Sequence, residues 1–186
     1  RIDRFLGGSS FLVALDTKSG RKQWEVPLRL PFQHIIYLSY APPVDAVLLT
    51  GTFNAKIGTA TRVCYGLRAF RSETGAALWQ RDLATGNPDG THGEQWQHPV
   101  IVGREVLSKY YECDLRTGTP LPSRVFSPGG GCGTLSASAS AVFLRGGNPR
   151  MFDLTESIGS AINRVSRPGC FINIIPAGGI LSIPEA

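Results

Sequence analysis

No stretch of this sequence approaches the roughly 20 consecutive apolar residues that a membrane-spanning helix needs, so no helical span is expected. Its 19 basic residues never gather into a run of four, and the net charge of +5 is therefore spread over a solvated surface. That excludes the clustered basic face on which nucleic-acid binding depends. The four cysteines, Cys64, Cys113, Cys132 and Cys170, contain no C-x-x-C pair, which argues against a zinc or thioredoxin-like site. The glycine loop at 129–133 lacks the Lys-Ser/Thr of a phosphate-binding loop and precedes a strand rather than a helix. Ser136, Ser138 and Ser140 alternate with Ala as in a tightly packed strand, without the elbow and positioned His of a serine nucleophile. There is neither a starting Met nor a secretory leader. The expectation is a segment of a longer protein, for which a missing leader says nothing about export.

What is present is turn chemistry and repetition. With 42% hydrophobic and only 18% charged residues, 22 Gly and 13 Pro, the chain reads as a loop-rich all-β protein. Residues 14–24, ALDTKSGRKQW, recur at 69–79 as AFRSETGAALW, with an apolar pair, a polar turn, a Gly at the seventh place and a Trp at the eleventh. A third copy, ECDLRTGTPLP at 112–122, keeps the turn and the Gly but not the Trp, and a fourth, MFDL at 151–154, keeps only the entry. The anchors Asp16, Arg71, Asp114 and Asp153 lie 55, 43 and 39 residues apart, a period that means a solenoid, an array or a propeller. Each copy predicts a hairpin, with Gly20, Gly75 and Gly118 at positive φ and Trp24 and Trp79 at equivalent places on the returning strand. Strands are expected over 11–15, 22–28, 35–40, 46–51 and 64–70, with a long polar loop at 53–61 and another at 84–93. Shorter strands follow at 97–102, 105–108, 109–115, 119–124, 134–138, 141–145, 150–154, 157–165, 170–175 and 179–183.

The two full copies resemble the repeat of PQQ-like, quinoprotein-type β-propellers, and 92–102, 131–140 and 167–175 resemble a bacterial, exported subgroup of them. The resemblance implies four-stranded antiparallel blades, with blade parts at roughly 1–30, 31–84, 94–125, 131–166 and 167–186. That is about four blades' worth. It fits an arc of a larger ring, with a closed four-bladed ring as the alternative. It implies a periplasmic or otherwise exported setting, with the remaining blades of the same chain and a protein as partners. The repeat serves scaffolds and enzymes alike, so fold does not choose the function. The first reading is a binding or scaffold module. The second is part of a PQQ-dependent alcohol or sugar dehydrogenase, which resemblance would equip with a calcium-bound quinone, an Asp base and vicinal cysteines. No adjacent cysteines exist here, and no calcium ligand or base can be matched.

Three groups of residues remain as candidates. His92, Glu94 and His98 form the densest polar cluster, able to bind a ligand or one metal, with Glu94 as the best general base. Their alternative role is to anchor the entry to a blade by hydrogen bonds, and a metal-dependent hydrolase built on them is a third functional class. Cys132 and Cys170 lie 38 residues apart, about one repeat, each just before a first blade strand. A disulfide between them is expected if their Cα atoms come within about 7 Å; pairing outside the segment is the alternative. Cys64 and Cys113 read as buried thiols, and His34 as a structural histidine.

Overall fold

The structure, a computed structural model, describes residues 10–32, 36–88, 98–108, 111–122, 134–169 and 174–184. Apolar and β-branched runs form strands, and each polar cluster between them turns the chain back on its own partner. Strands β1 (Ser10–Leu15) and β2 (Lys22–Leu28) make an antiparallel hairpin. β3 (Ile36–Ala41), β4 (Ala46–Ile57), β5 (Ala60–Arg71) and β6 (Ala77–Pro88) make a four-stranded antiparallel sheet in sequence order. A short 3-10 turn over Pro42–Val44, set by two prolines, links β3 to β4. These elements belong to a first compact unit of residues 1–97, with which residues 116–118 also pack.

The second unit comprises residues 98–115 and 119–186. β7 (Val100–Val102), β8 (Glu105–Leu107) and β9 (Glu112–Asp114) form a three-stranded sheet, extended by a single bridge from Cys113 to Pro120. β10 (Ser136–Ala137), β11 (Ala141–Gly146), β12 (Asn148–Asp153) and β13 (Ile158–Ala161) form a second four-stranded antiparallel sheet, and β14 (Ile175–Ala177) pairs with β15 (Ile180–Ser182). Cores lie between sheets within each unit. Leu12 and Phe32 pack with Leu49 and Phe70 in the first. In the second, Leu107 and Leu135 pack with Val142 and Leu144, while Ala141 and Phe143 pack with Ile174.

Parts of two expected loops, 53–61 and 84–93, are strand. Residues 53–57 and 60–61 continue β4 and β5 into a hairpin of two twelve-residue strands, with Phe53 opposite Cys64 and Ile57 opposite Ala60. Residues 84–88 likewise extend β6, with Ala84 opposite Cys64 and Pro88 opposite Arg62. Backbone pairing to an existing strand stabilises these extensions, although Lys56 and Ile57 at the tip face solvent. Conversely, among the described residues of the strand expected at 119–124, Pro120 makes a single bridge to Cys113, and proline has no N–H to donate to a longer ladder.

Candidate functional site

The repeat explains itself in the register. Ala14 pairs with Trp24 across the first hairpin, and Ala69 pairs with Trp79 across the β5–β6 hairpin. A methyl group opposite each indole leaves room for the ring to lie over its strand pair. Four residues upstream, the turn is closed by backbone bonds from Gly20 N to Asp16 O and from Gly75 N to Arg71 O, both 2.8 Å. In the first copy Asp16 accepts from the amides of Lys18 and Ser19 and from the Ser19 hydroxyl, and in the fourth Asp153 accepts from Thr155 and Glu156. These bonds hold the Asp16 carboxyl below the usual carboxylate range, the Ser19 hydroxyl first.

Each Trp docks on the glycine of the following repeat. A methyl group placed on Gly75 would meet Trp24 Cε3 at 2.7 Å and Val26 Cγ2 at 2.6 Å. One placed on Gly118 would meet Trp79 Cε3 at 2.5 Å. The Trp24 indole N–H donates to Ser72 O at 2.8 Å, and Arg81 Nε donates to Gly118 O at 2.8 Å. Ser72 continues the network, since its hydroxyl and that of Tyr40 both donate to Asp45 Oδ1, at 2.5 and 2.8 Å. The Ser72 bond, then the Tyr40 bond, lower the Asp45 carboxyl below its ordinary value.

Beside the Trp24 seam, an open groove of about 350 Å³ runs between β2 with its continuation and the outer part of the β5–β6 pair. Leu28, Leu30, Phe70 and Leu78 give it apolar walls, and Arg29, Arg68 and Gln80 line it with polar groups. Arg68 is buried and held in place. Its Nη1 donates to Leu67 O at 2.9 Å, Arg81 O at 3.1 Å and Asp82 Oδ1 at 2.7 Å, and its guanidinium lies 5.6 Å from the Phe32 ring centre. Phe32 sits against Gly66, where any Cβ would collide with its ring, and stacks on Phe53 at 6.5 Å. An apolar trough with one anchored cation can bind a side chain or a peptide segment; it does not bring a nucleophile and a base together. The reading from sequence passed over Arg68, although a charged residue inside the apolar run YGLRAF was a visible signal.

The residues singled out from sequence are placed unequally. Gly20, Gly75 and Gly118 all adopt positive φ, at 69°, 74° and 66°. His98 is half-buried just before β7, and burial pushes its imidazole below the ordinary value. His92, Glu94, His34, Cys132, Cys170 and the loop at 129–133 lie outside the described residues, so neither the polar cluster nor the cysteine pair has a geometry here. Cys64 and Cys113 are buried and unbridged, and burial raises the Cys64 thiol. Among the described residues, no three His, Cys, Asp or Glu side chains gather to hold a metal ion. No helix among the described residues is long and apolar enough to cross a membrane.

No protein-family description matches this sequence, and no curated protein matches it either. Among solved structures, the chain is similar to BamB from Moraxella catarrhalis, with 21% identity and a TM-score of 0.53 over 82% of this chain and 46% of that one. The chain thus spans about half the length of BamB. Likeness at this identity carries the fold, and the antiparallel sheets agree with it: the chain is all-β, a segment of a β-propeller built from four-stranded antiparallel blades.

Proposed function

We propose that the chain is part of an exported, PQQ-like β-propeller protein and serves as a binding or scaffold module that holds a protein partner. The observation that carries this reading is the groove beside Trp24. Most of its wall comes from strands β2, β5 and β6, with Arg29 and Leu30 following β2, and a wall held by paired strands lowers the entropy lost when a partner binds. Its Leu28, Leu30 and Leu78 suit apolar side chains, and Arg68, buttressed by Asp82 and Phe32, suits a carbonyl or carboxylate between them. The exported setting and the PQQ-like assignment rest on the resemblance of the two full repeats.

The same reading divides the chain into blade parts at 1–30, 31–84, 94–125, 131–166 and 167–186. It takes the loop of His92, Glu94 and His98 as a further ligand contact. It also joins Cys132 to Cys170, a pairing motivated by their one-repeat spacing. A non-reduced peptide map should show those two half-cystines in one linked peptide pair, and finding both as free thiols would remove the bridge. The functional test is a Trp-fluorescence titration with PQQ and calcium. No saturable quenching is expected. Calcium-dependent binding at about 1 µM or tighter, near −8 kcal/mol, would replace the scaffold with a quinone-dependent dehydrogenase.

A further inference from the structure

Arg68 meets the groove beside Trp24 with only one of its three nitrogens engaged. Nη1 makes every hydrogen bond of this side chain, to Leu67 O, Arg81 O and Asp82 Oδ1. Nε and Nη2 have no partner among the described residues, although Arg68 is only 9% exposed. Phe32, seated against Gly66, lies over the guanidinium at 5.6 Å. These contacts fix the plane of the group and leave its Nε–Nη2 edge unengaged. That edge presents two parallel N–H donors at the spacing of a carboxylate's two oxygens. A single carbonyl oxygen would satisfy one donor and leave the other stripped of water, which is costly.

Charge favours the same ligand. Arg29 and Arg68 both line the groove, and no Asp or Glu stands among its described lining residues. Asp82 touches Arg68 through Nη1 alone, and its side chain is 47% exposed, so water screens much of its charge. Two arginines against one half-solvated carboxylate leave the groove an anion short of balance. A neutral partner closing over it would bury the free edge of Arg68 without a counter-charge. Shape then decides what carries the anion. One wall runs from Val26 to Leu30, and four steps of about 3.3 Å make it up to about 13 Å long, the span of five extended residues. Alternate side chains of an extended segment share one face. A central acid reaching Arg68 therefore sets the residues two places before and after it against the apolar walls of Leu28, Leu30 and Leu78.

We infer that the groove takes an extended acidic peptide segment of a partner protein. An Asp or Glu of that segment, with aliphatic residues two places to either side, lays its carboxylate bidentately on the Nε–Nη2 edge of Arg68. The inference rests on the binding-module reading above and adds to it the chemistry of the partner. Arg29, exposed beside the site, contributes attraction for the same acid that weakens as salt rises.

The test pans the full polypeptide against an immobilised library of random heptapeptides, N-acetylated and C-amidated so that no terminal carboxylate competes. Enriched sequences should carry an Asp or Glu with an aliphatic residue two places to each side. Changing that acid to its amide should weaken binding at least about tenfold. Arg68→Lys keeps the charge but not the fork, and should lose a similar factor. Because Arg68 is buried, a second pair of variants sits at Leu78, which is 38% exposed. Leu78→Glu should weaken the acidic peptides about tenfold, while Leu78→Lys leaves them as tight or tighter. Enriched peptides that lack an acid yet respond to the Leu78 substitutions would overturn the carboxylate inference and leave a binding groove standing. Acidic peptides on which the two Leu78 substitutions act alike would also overturn it. No enriched sequence at all would remove the inference together with the groove reading beneath it.

Discussion

At Gly75 two demands coincide: the turn needs a left-handed backbone, and Trp24 occupies the space a side chain would take. At Gly20 only the first applies in the 186-residue chain. Gly20→Ala should therefore cost only the strain of a side chain at positive φ, about 1–2 kcal/mol. Gly75→Ala carries the same strain and must also displace the indole, adding about 1–3 kcal/mol of overpacking. Urea unfolding of the two variants reads the difference directly, and equal losses would mean that the Trp24–Gly75 contact contributes nothing. Both glycines were legible in the sequence, because a polar turn ending in Gly is a local signal. The contact that separates them was not, since it joins residues 51 positions apart.

Strand β4 carries an unusual face. Thr50 and Thr52 are buried on the same side of the strand, and neither hydroxyl has a hydrogen-bond partner among the described residues. An unsatisfied buried hydroxyl costs free energy that an isosteric methyl does not. Thr52→Val should accordingly leave the protein as stable or more so, by about 1 kcal/mol, with the same denaturant slope. A loss of stability would show that the hydroxyl has a partner after all. The long β4–β5 hairpin behind these residues escaped the sequence reading for a related reason. Its tip, around Lys56 and Ile57, has no buried face, and strands without one leave no hydrophobic alternation to read. The inner halves of β4 and β5 do bury a face, and there the expected 46–51 and 64–70 fall within the observed strands.

For the whole molecule, acid is the informative perturbation. Burial holds His98 below its ordinary value of 6.5, so the folded state favours the neutral ring and the unfolded state binds the proton more readily. Its contribution to stability is complete above 6.5 and is lost as pH falls from there through the lower folded value. The melting temperature should decline as pH drops below 6.5, and His98→Asn should remove that part of the slope. Asp45, exposed but held down by Ser72 and Tyr40, acts in the same direction only in more acidic solution, below its ordinary 3.8. A melting curve flat through the histidine range in the unaltered chain would place His98 in a solvated environment.

The sequence by itself determined the hairpins of the two full repeats and their glycine turns. Gly, Pro and Asx residues fix local backbone angles, and apolar runs of four to seven residues fix which segments extend, so Asp16, Gly20 and Trp24 announce a hairpin without reference to anything distant. It also supplied the period, and with it the expectation of blades. Only the tertiary structure decided what each hairpin meets. That Trp24 lies on Gly75, that Phe32 sits against Gly66 beneath Arg68, and that Leu28 and Leu78 face one groove are all contacts between residues far apart in the chain. Such contacts depend on which faces are left to bury once the local pairs have formed. No short window of sequence contains both partners, and so none could have named them.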